Sequence, residues 1–342
     1  MRGLAALLSV GVLLLLVTPL GRYLLRAGYE EARILWARQP IAALVADSSL
    51  DALTRGKLQL VLEARAFARD SLGLPLQEAF TQFTQLPTDT LVLVLSGARP
   101  DWLEPVLWRF PLVGRLPYKG YFRLEDALAA EQALREDGFD TYLRPASAFS
   151  TLGWFNDPLL STTLAQDSVP LVNTVIHELT HNRYFAAGEA TFNESFANFV
   201  GARGAQSFFR ARGDSVGARR AAAAWADERG LAVFWGALYR GLDSTFTAHP
   251  GDSLRARRIA LRDSVYADAR RYLIDSLAPT WLSIPPQYAE RVRLDNAALL
   301  ARRVYLYDLE VFEHAYGASG RNLRQSIDSL IARHQASRAF TR

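Results

Sequence analysis

Val175-Ile176-His177-Glu178-Leu179-Thr180-His181 is the stretch around which the rest of the chain can be arranged. It has the form H-E-x-x-H. On an α-helix, residues four apart are rotated by about 400° and lie about 6 Å apart along the axis, so the His177 and His181 imidazoles leave one face together. Neutral imidazole nitrogen is a good ligand for Zn²⁺, which prefers four tetrahedral ligands. Glu178 sits about 100° further round, beside such an ion and not on it, where a carboxylate can take a proton from water. The flanks support a helix: Val172, Val175, Ile176 and Leu179 give residues 169–185 an apolar pattern. Ser168 can cap its start, and Pro170 is tolerated in a first turn. The competing account is two histidines that merely pack or face water. Ionisable groups in an apolar helix are costly to bury unless paired or metal-bound, and this favours the metal.

A catalytic zinc keeps three protein ligands and one open position. Ala186-Ala187-Gly188 can end the first helix, with Gly188 in the turn. A second helix then starts near Thr191, with Phe192, Phe196, Phe199 and Val200 as its apolar stripe. Glu194 lies off that stripe and can point back across the turn at the histidines. It is preferred as third ligand over Glu189, which sits in the turn; an exposed helix carboxylate is its plainer reading. The expected centre is one Zn²⁺ on His177, His181 and Glu194, with Glu178 as general base. Asn193 reads as a helix cap ahead of an oxyanion donor.

His177 to His181 followed by Asn193-Glu194-Ser195-Phe196-Ala197 resembles the gluzincin pattern, H-E-x-x-H followed by N-E-x-x-A. More closely, the chain resembles a bacterial family of predicted aminopeptidases. Phe110-Pro111-Leu112-Val113-Gly114, Pro117-Tyr118-Lys119-Gly120-Tyr121-Phe122 and Ser150-Thr151-Leu152-Gly153-Trp154-Phe155, followed by Asp157-Pro158-Leu159, carry that likeness from about residue 22 onward. The resemblance implies a zinc peptidase exported to the bacterial cell envelope. The chain departs from it in two places. Relatives often carry a lipid-modified cysteine, and this chain has no cysteine; they often have Asp-Thr where this chain has Ala190-Thr191.

With 342 residues, half of them hydrophobic, there is ample material for a core. A net charge of +4, with basic and acidic residues intermixed, offers no dense basic block and argues against nucleic acid as a partner. Lack of cysteine excludes disulfides and thiolate ligands. Residues 4–20 are apolar, about 17 residues, short for a membrane span and long for a signal-peptide core. A signal anchor, which would tether the chain to the membrane, is preferred to a cleaved signal peptide; the resemblance implies the periplasmic face of the inner membrane.

Further along, helices are expected over 23–38, 50–68, 76–83 and 123–137, and strands over 91–95, 140–144 and 148–152. Residues 100–122, rich in Pro, Gly and aromatics, read as irregular loop, with Tyr118, Lys119 and Tyr121 as candidate pocket wall. A strand just before the zinc helix could pair with an extended peptide at an exposed edge. Beyond residue 200 helical periodicity runs over 218–239, 253–277, 288–316 and 323–336. Tyr305 and Tyr307 there are candidate oxyanion donors, whereas His249, His314 and His334 read as surface or core residues.

The fold expected is α+β and mostly helical: an anchor or signal over 1–21, a helical region over 22–88, a zincin-like core with a small sheet over 89–204, and a helical cover over 205–342. The favoured activity is that of a zinc aminopeptidase acting on a peptide or protein. Glu189 is nominated to hold the substrate's free ammonium. A membrane-anchored endopeptidase acting on envelope proteins is the second reading, and a non-catalytic binding protein with a degenerate zinc site the third. The intact Glu178 argues against the third, since a structural site needs no base.

Overall fold

The structure, a computed structural model, describes residues 16–90, 92–110, 114–146 and 158–341. It is mostly helical with small sheets, as expected for the α+β class. Chain order runs α1 (Pro19–Trp36), β1 (Gln39–Pro40), α2 (Ile41–Ala46), α3 (Ala52–Asp70), β2 (Gln82–Thr84), β3 (Leu93–Ala98), β4 (Trp108–Phe110), β5 (Gly114–Leu116), β6 (Lys119–Tyr121), α4 (Leu124–Glu136), β7 (Asp140–Pro145) and β8 (Leu159–Leu160). Then come α5 (Ser161–Leu164), α6 (Ser168–Arg183), α7 (Ala190–Ala211), α8 (Ser215–Thr247), α9 (Arg255–Tyr272), α10 (Tyr288–Arg291), α11 (Asn296–Arg303), α12 (Leu309–Ala318) and α13 (Leu323–Thr341).

The core forms where the apolar stripes of α3, α6 and α7 meet. Leu58, Val61, Ala64 and Ala68 of α3 recur at helical spacing and are fully buried. They share one cluster with Val172, Val175, Ile176 and Leu179 of α6 and with Phe196, Phe199 and Val200 of α7. The same cluster takes residues from Ile41 near the start to Ile331 of α13. A second cluster gathers Phe234, Trp235, Leu238, Leu242 and Phe246 from the far half of α8 with Tyr266, Leu273 and Leu299. The 33-residue α8 therefore serves both cores.

Helices α6 and α7 come unusually close because α7 presents glycine to α6. A Cβ at Gly201 would lie 2.9 Å from the Asn173 carbonyl oxygen and 3.2 Å from His177 Cβ; one at Gly204 would lie 2.8 Å from Ile176 Cγ2. Without those side chains the backbones can approach.

The main sheet has the order β6-β3-β7, antiparallel throughout, with β3 central and Val94 opposite both Gly120 and Arg144. It docks on the helices through ion pairs: Arg262 reaches Asp140 at 3.0 Å, and buried Arg258 reaches buried Asp101 at 2.7 Å. The backbone N–H of Asn296, opening α11, also donates to Asp140. Among the described residues, strand β7 is an edge of this sheet.

Several local expectations are corrected. Residues 76–83 are not a helix: Gln77 and Phe80 take positive φ, and Arg65 donates to the carbonyls of Gln77 and Ala79, so Leu76, Phe80 and Phe83 reach the core from a turn leading into β2. Residues 100–122 contain β4, β5 and β6, not only loop. The single helix expected over 288–316 is three, divided where Asp295 caps α11 and where Asp308 takes a left-handed conformation. The strand expected over 148–152, and residues 4–15 of the apolar run, lie outside the described residues. Among those described, no helix is long and apolar enough to cross a membrane.

Candidate metal centre

Helix α6 starts at Ser168, with Asp167 in the capping position, and ends at Arg183, earlier than Ala186-Ala187-Gly188 suggested; Tyr184 is already extended. Gly188, with φ of +83°, bends the chain into α7. The turn is held from within by Asn193. Its Oδ1 accepts from Ala186 N at 2.8 Å and its Nδ2 donates to Ala186 O at 2.8 Å, so this buried amide clamps the turn and is committed as neither cap nor oxyanion donor.

The turn folds Glu194 back on the two histidines. His177 Nε2 lies 3.3 Å and His181 Nε2 3.8 Å from Glu194 Oε2, and the three candidate ligand atoms lie within 4.8 Å of one another. Zinc bonds of about 2.0–2.1 Å at tetrahedral angles would set neighbouring ligand atoms ~3.4 Å apart. The donor set and its spacing therefore fit that ion. Among the described residues this is the one such group found. Glu189, the competing ligand, is engaged elsewhere: His334 Nε2 lies 2.7 Å from its Oε2 and Arg338 Nε 2.8 Å from its Oε1. His334 in turn meets the Tyr184 hydroxyl at 3.0 Å and stacks on Phe192 at 3.5 Å. Glu189 thus fastens α13 to the turn, and it is not a free anion for a substrate ammonium.

Charge within the group is self-consistent. Burial pushes His181 down to about 4, helped by the positive charge of His177, so His181 stays neutral, as a metal ligand must be. Burial also works against charge on His177, but the hydrogen bond to Glu194 and the carboxylates of Glu178, Glu194 and Glu228 outweigh it and raise its pKa. Burial would raise Glu194; hydrogen bonding to His177 and the charges of both histidines and Arg144 hold it below the usual carboxylate range. Glu178 is half-buried beside His177 and acts on that ring electrostatically.

Around this cluster stand residues from distant parts of the chain. Tyr305 lies in the α11–α12 connection. Burial, then the charge of Glu194, push its phenol up to about 12, and the positive charge of Arg144 opposes this. The guanidinium of Arg144 lies 5.8 Å from the Tyr305 ring centre. Helix α7 itself places this connection: Asn198 Nδ2 donates to Tyr305 O at 3.0 Å, and Ser195 Oγ accepts from Tyr307 N at 3.0 Å. Burial and Glu194 likewise raise Tyr118. Of the other aromatic candidates, Tyr307 packs against Arg303, and Tyr121 lies against Lys119, which also sits over Tyr23 of α1.

Two residues near the cluster were missed. Arg144 carried no signal beyond alternation in a short strand. Glu228, on α8, is pushed up to about 7 by burial, with His177 opposing and Asp227 adding to the shift. It did carry a signal: Trp225, Glu228, Ala232 and Trp235 recur at helical spacing, which puts a carboxylate on an otherwise apolar stripe.

A comparison with protein families matches residues 22–339 to the family described as "putative aminopeptidase". The chain belongs to that family. As a member of this aminopeptidase family it is assigned to the peptidases, with a peptide as substrate. No curated protein and no solved structure matches it.

Proposed function

We propose that the chain is a zinc-dependent aminopeptidase in which His177, His181 and Glu194 hold the metal and Glu178 is the general base. The approach of three ligand-type atoms from two helices to within 4.8 Å is the observation that carries this reading. When bound, zinc lowers the pKa of a water towards neutrality and polarises a carbonyl. Glu178 takes the proton from the attacking water and passes it to the leaving amine. Tyr305, protonated throughout the neutral range, donates to the carbonyl oxygen as negative charge develops there. Asn198 fixes the backbone that carries this phenol, and the Arg144 guanidinium stands 5.8 Å from its ring centre. The β7 edge offers backbone groups to an extended substrate. On this reading residues 89–204 form a zincin-like core, and residues 4–20 direct the chain to the cell envelope.

The test is hydrolysis of free-amine and N-acetylated peptides by the purified full-length protein, with zinc, with chelator, and as Glu178→Gln. Zinc-dependent cleavage of free-amine peptides, lost in Glu178→Gln with zinc still bound, is expected. Cleavage of blocked peptides as well would replace the aminopeptidase by an endopeptidase. Stoichiometric zinc without cleavage of either would reject the catalytic reading. Membrane-free recovery of the whole chain after cell fractionation would reject the anchoring role of residues 4–20.

A further inference from the structure

An enzyme that removes residues only from a free N-terminus needs an anion to receive the substrate's ammonium. That anion must stand beside the metal ligands, because a single Cα separates the amino nitrogen from the scissile carbonyl. Glu178 and Glu194 are committed to base and ligand roles, and Glu189 is fastened to His334 and Arg338.

Glu228 remains, and its surroundings differ sharply from those of its neighbour. Asp227 accepts from the backbone N–H groups of Leu282, Ser283 and Ile284 and from the Ser283 hydroxyl. Glu228 takes none of these donors. Among the described residues it forms no ion pair, and its Oε2 is buried without a hydrogen-bond partner. A carboxylate oxygen left in that condition is costly, and folded proteins keep few of them. This one is held on the apolar stripe of α8, between the buried side chains of Trp225 and Trp235, on the longest helix described. Trp225 and Ala232, a turn to either side of it, pack in one cluster with Val175 and Ile176 of α6 and Phe199 of α7, and the Trp225 and Phe199 rings lie 6.1 Å apart, so this stripe of α8 faces the helix pair that carries the ligand cluster. An ammonium carries three N–H donors and one positive charge, which are what this carboxylate lacks.

We propose that Glu228 is the specificity residue that receives the α-ammonium of the substrate's N-terminal residue and so makes this an exopeptidase site. This rests on the zinc-peptidase reading above. It also distinguishes Glu228 from a group that merely orients His177, since an orienting carboxylate would serve blocked and free substrates alike.

The test uses full-length protein as wild type and as Glu228→Gln, which keeps the shape and removes the charge. Cleavage of leucine p-nitroanilide is compared with that of its N-acetyl derivative. Binding of L-leucinamide and of N-acetyl-L-leucinamide is measured by calorimetry at about pH 7.5, where much of an α-amino group is still protonated. In Glu228→Gln, KM for the free-amine substrate should rise at least tenfold and leucinamide binding should weaken to match. N-acetyl-leucinamide binding, zinc content and melting temperature should stay unchanged. Unaltered leucinamide binding and KM would overturn the proposal while leaving the peptidase intact. A fall in zinc content, or in kcat for every substrate, with free-amine preference retained, would overturn it in favour of a His177-positioning role. A wild type that neither binds zinc nor cleaves would remove the function and this inference with it.

Discussion

Gly201→Ala tests whether the close approach of α6 and α7 sets the ligand spacing. The added Cβ would stand 2.3 Å from Asn173 Oδ1, 2.9 Å from the Asn173 carbonyl oxygen and 3.2 Å from His177 Cβ. The Asn173 side chain can swing away, but the carbonyl cannot, because it belongs to the helix that carries both histidines. Restoring ordinary contact there moves the helices apart by about half an ångström. Overpacking of this kind costs about 1–3 kcal/mol, and the helix gains about 1 kcal/mol from replacing glycine by alanine. The metal-free protein should therefore lose only about 1 kcal/mol. The effect on zinc should be larger. Glu194 comes from one helix and the histidines from the other, so the shift adds directly to the ligand separation, and metal–ligand distances tolerate only about ±0.2 Å. A loss of roughly tenfold or more in zinc affinity is expected, read by chelator competition beside a thermal melt. Unchanged zinc affinity together with an unchanged or higher melting temperature would refute the reasoning. Gly204→Ala is the companion test, because its nearest neighbours are side-chain atoms of Ile176 and Leu72 and not the backbone of α6.

Other consequences are equally open to measurement. Zinc affinity should fall with pH: the His177 pKa is raised above 6.5 in the metal-free protein, so below that raised value each ion must displace one proton, tenfold per unit. Neutral His181 adds a further proton only near pH 4, whereas Glu228, pushed up to about 7, gives up its own proton as the ion's charge arrives, so competition titrations from pH 5 to 8 should show at least one proton released, and a flat profile from 5 to 7 would contradict this. Tyr305→Phe should lower kcat by about 10²–10³ with little change in KM or zinc content, as expected for loss of an oxyanion donor; an unchanged kcat removes the phenol from the chemistry. His334→Ala removes the stack on Phe192 and the contacts to Tyr184 and Glu189. It should cost about 2 kcal/mol in urea unfolding and speed proteolysis within residues 184–189, whereas an unaltered cleavage rate there would show that the clasp does not hold the turn.

The pair α6–α7 was legible because its signals are local: apolar spacing, a glycine turn and a ligand motif all fall within about two dozen residues. The outer residues were legible only as types. Tyr305 was nominated as a phenol in a helical region, but nothing in its neighbourhood foretold that Ser195 and Asn198 would hold its backbone. Glu189 and Glu194 could not be separated by spacing with certainty, because the partners that occupy Glu189 lie on α13. Residues 76–83 show the reverse error: Leu76, Phe80 and Phe83 have helical spacing, yet positive φ at Gln77 and Phe80 delivers them to the core without a helix. Apolar spacing reports what must be buried and not the backbone path that buries it.

The clasp between Glu189 and His334 spans 145 residues, and the hydrogen bonds that fix Tyr305 span more than a hundred. As the chain is synthesised, both histidines and Glu194 emerge close together, while the parts that hold the turn and furnish the phenol follow much later. At about 5–20 residues per second this leaves on the order of ten seconds in which the three candidate ligands exist without their supports. A nascent chain in that interval can display the motif but cannot present the finished centre, so α13 acts as a delay on maturation. If the centre is the zinc site proposed above, hydrolytic competence would begin only once the chain has been made far enough to close over its own turn.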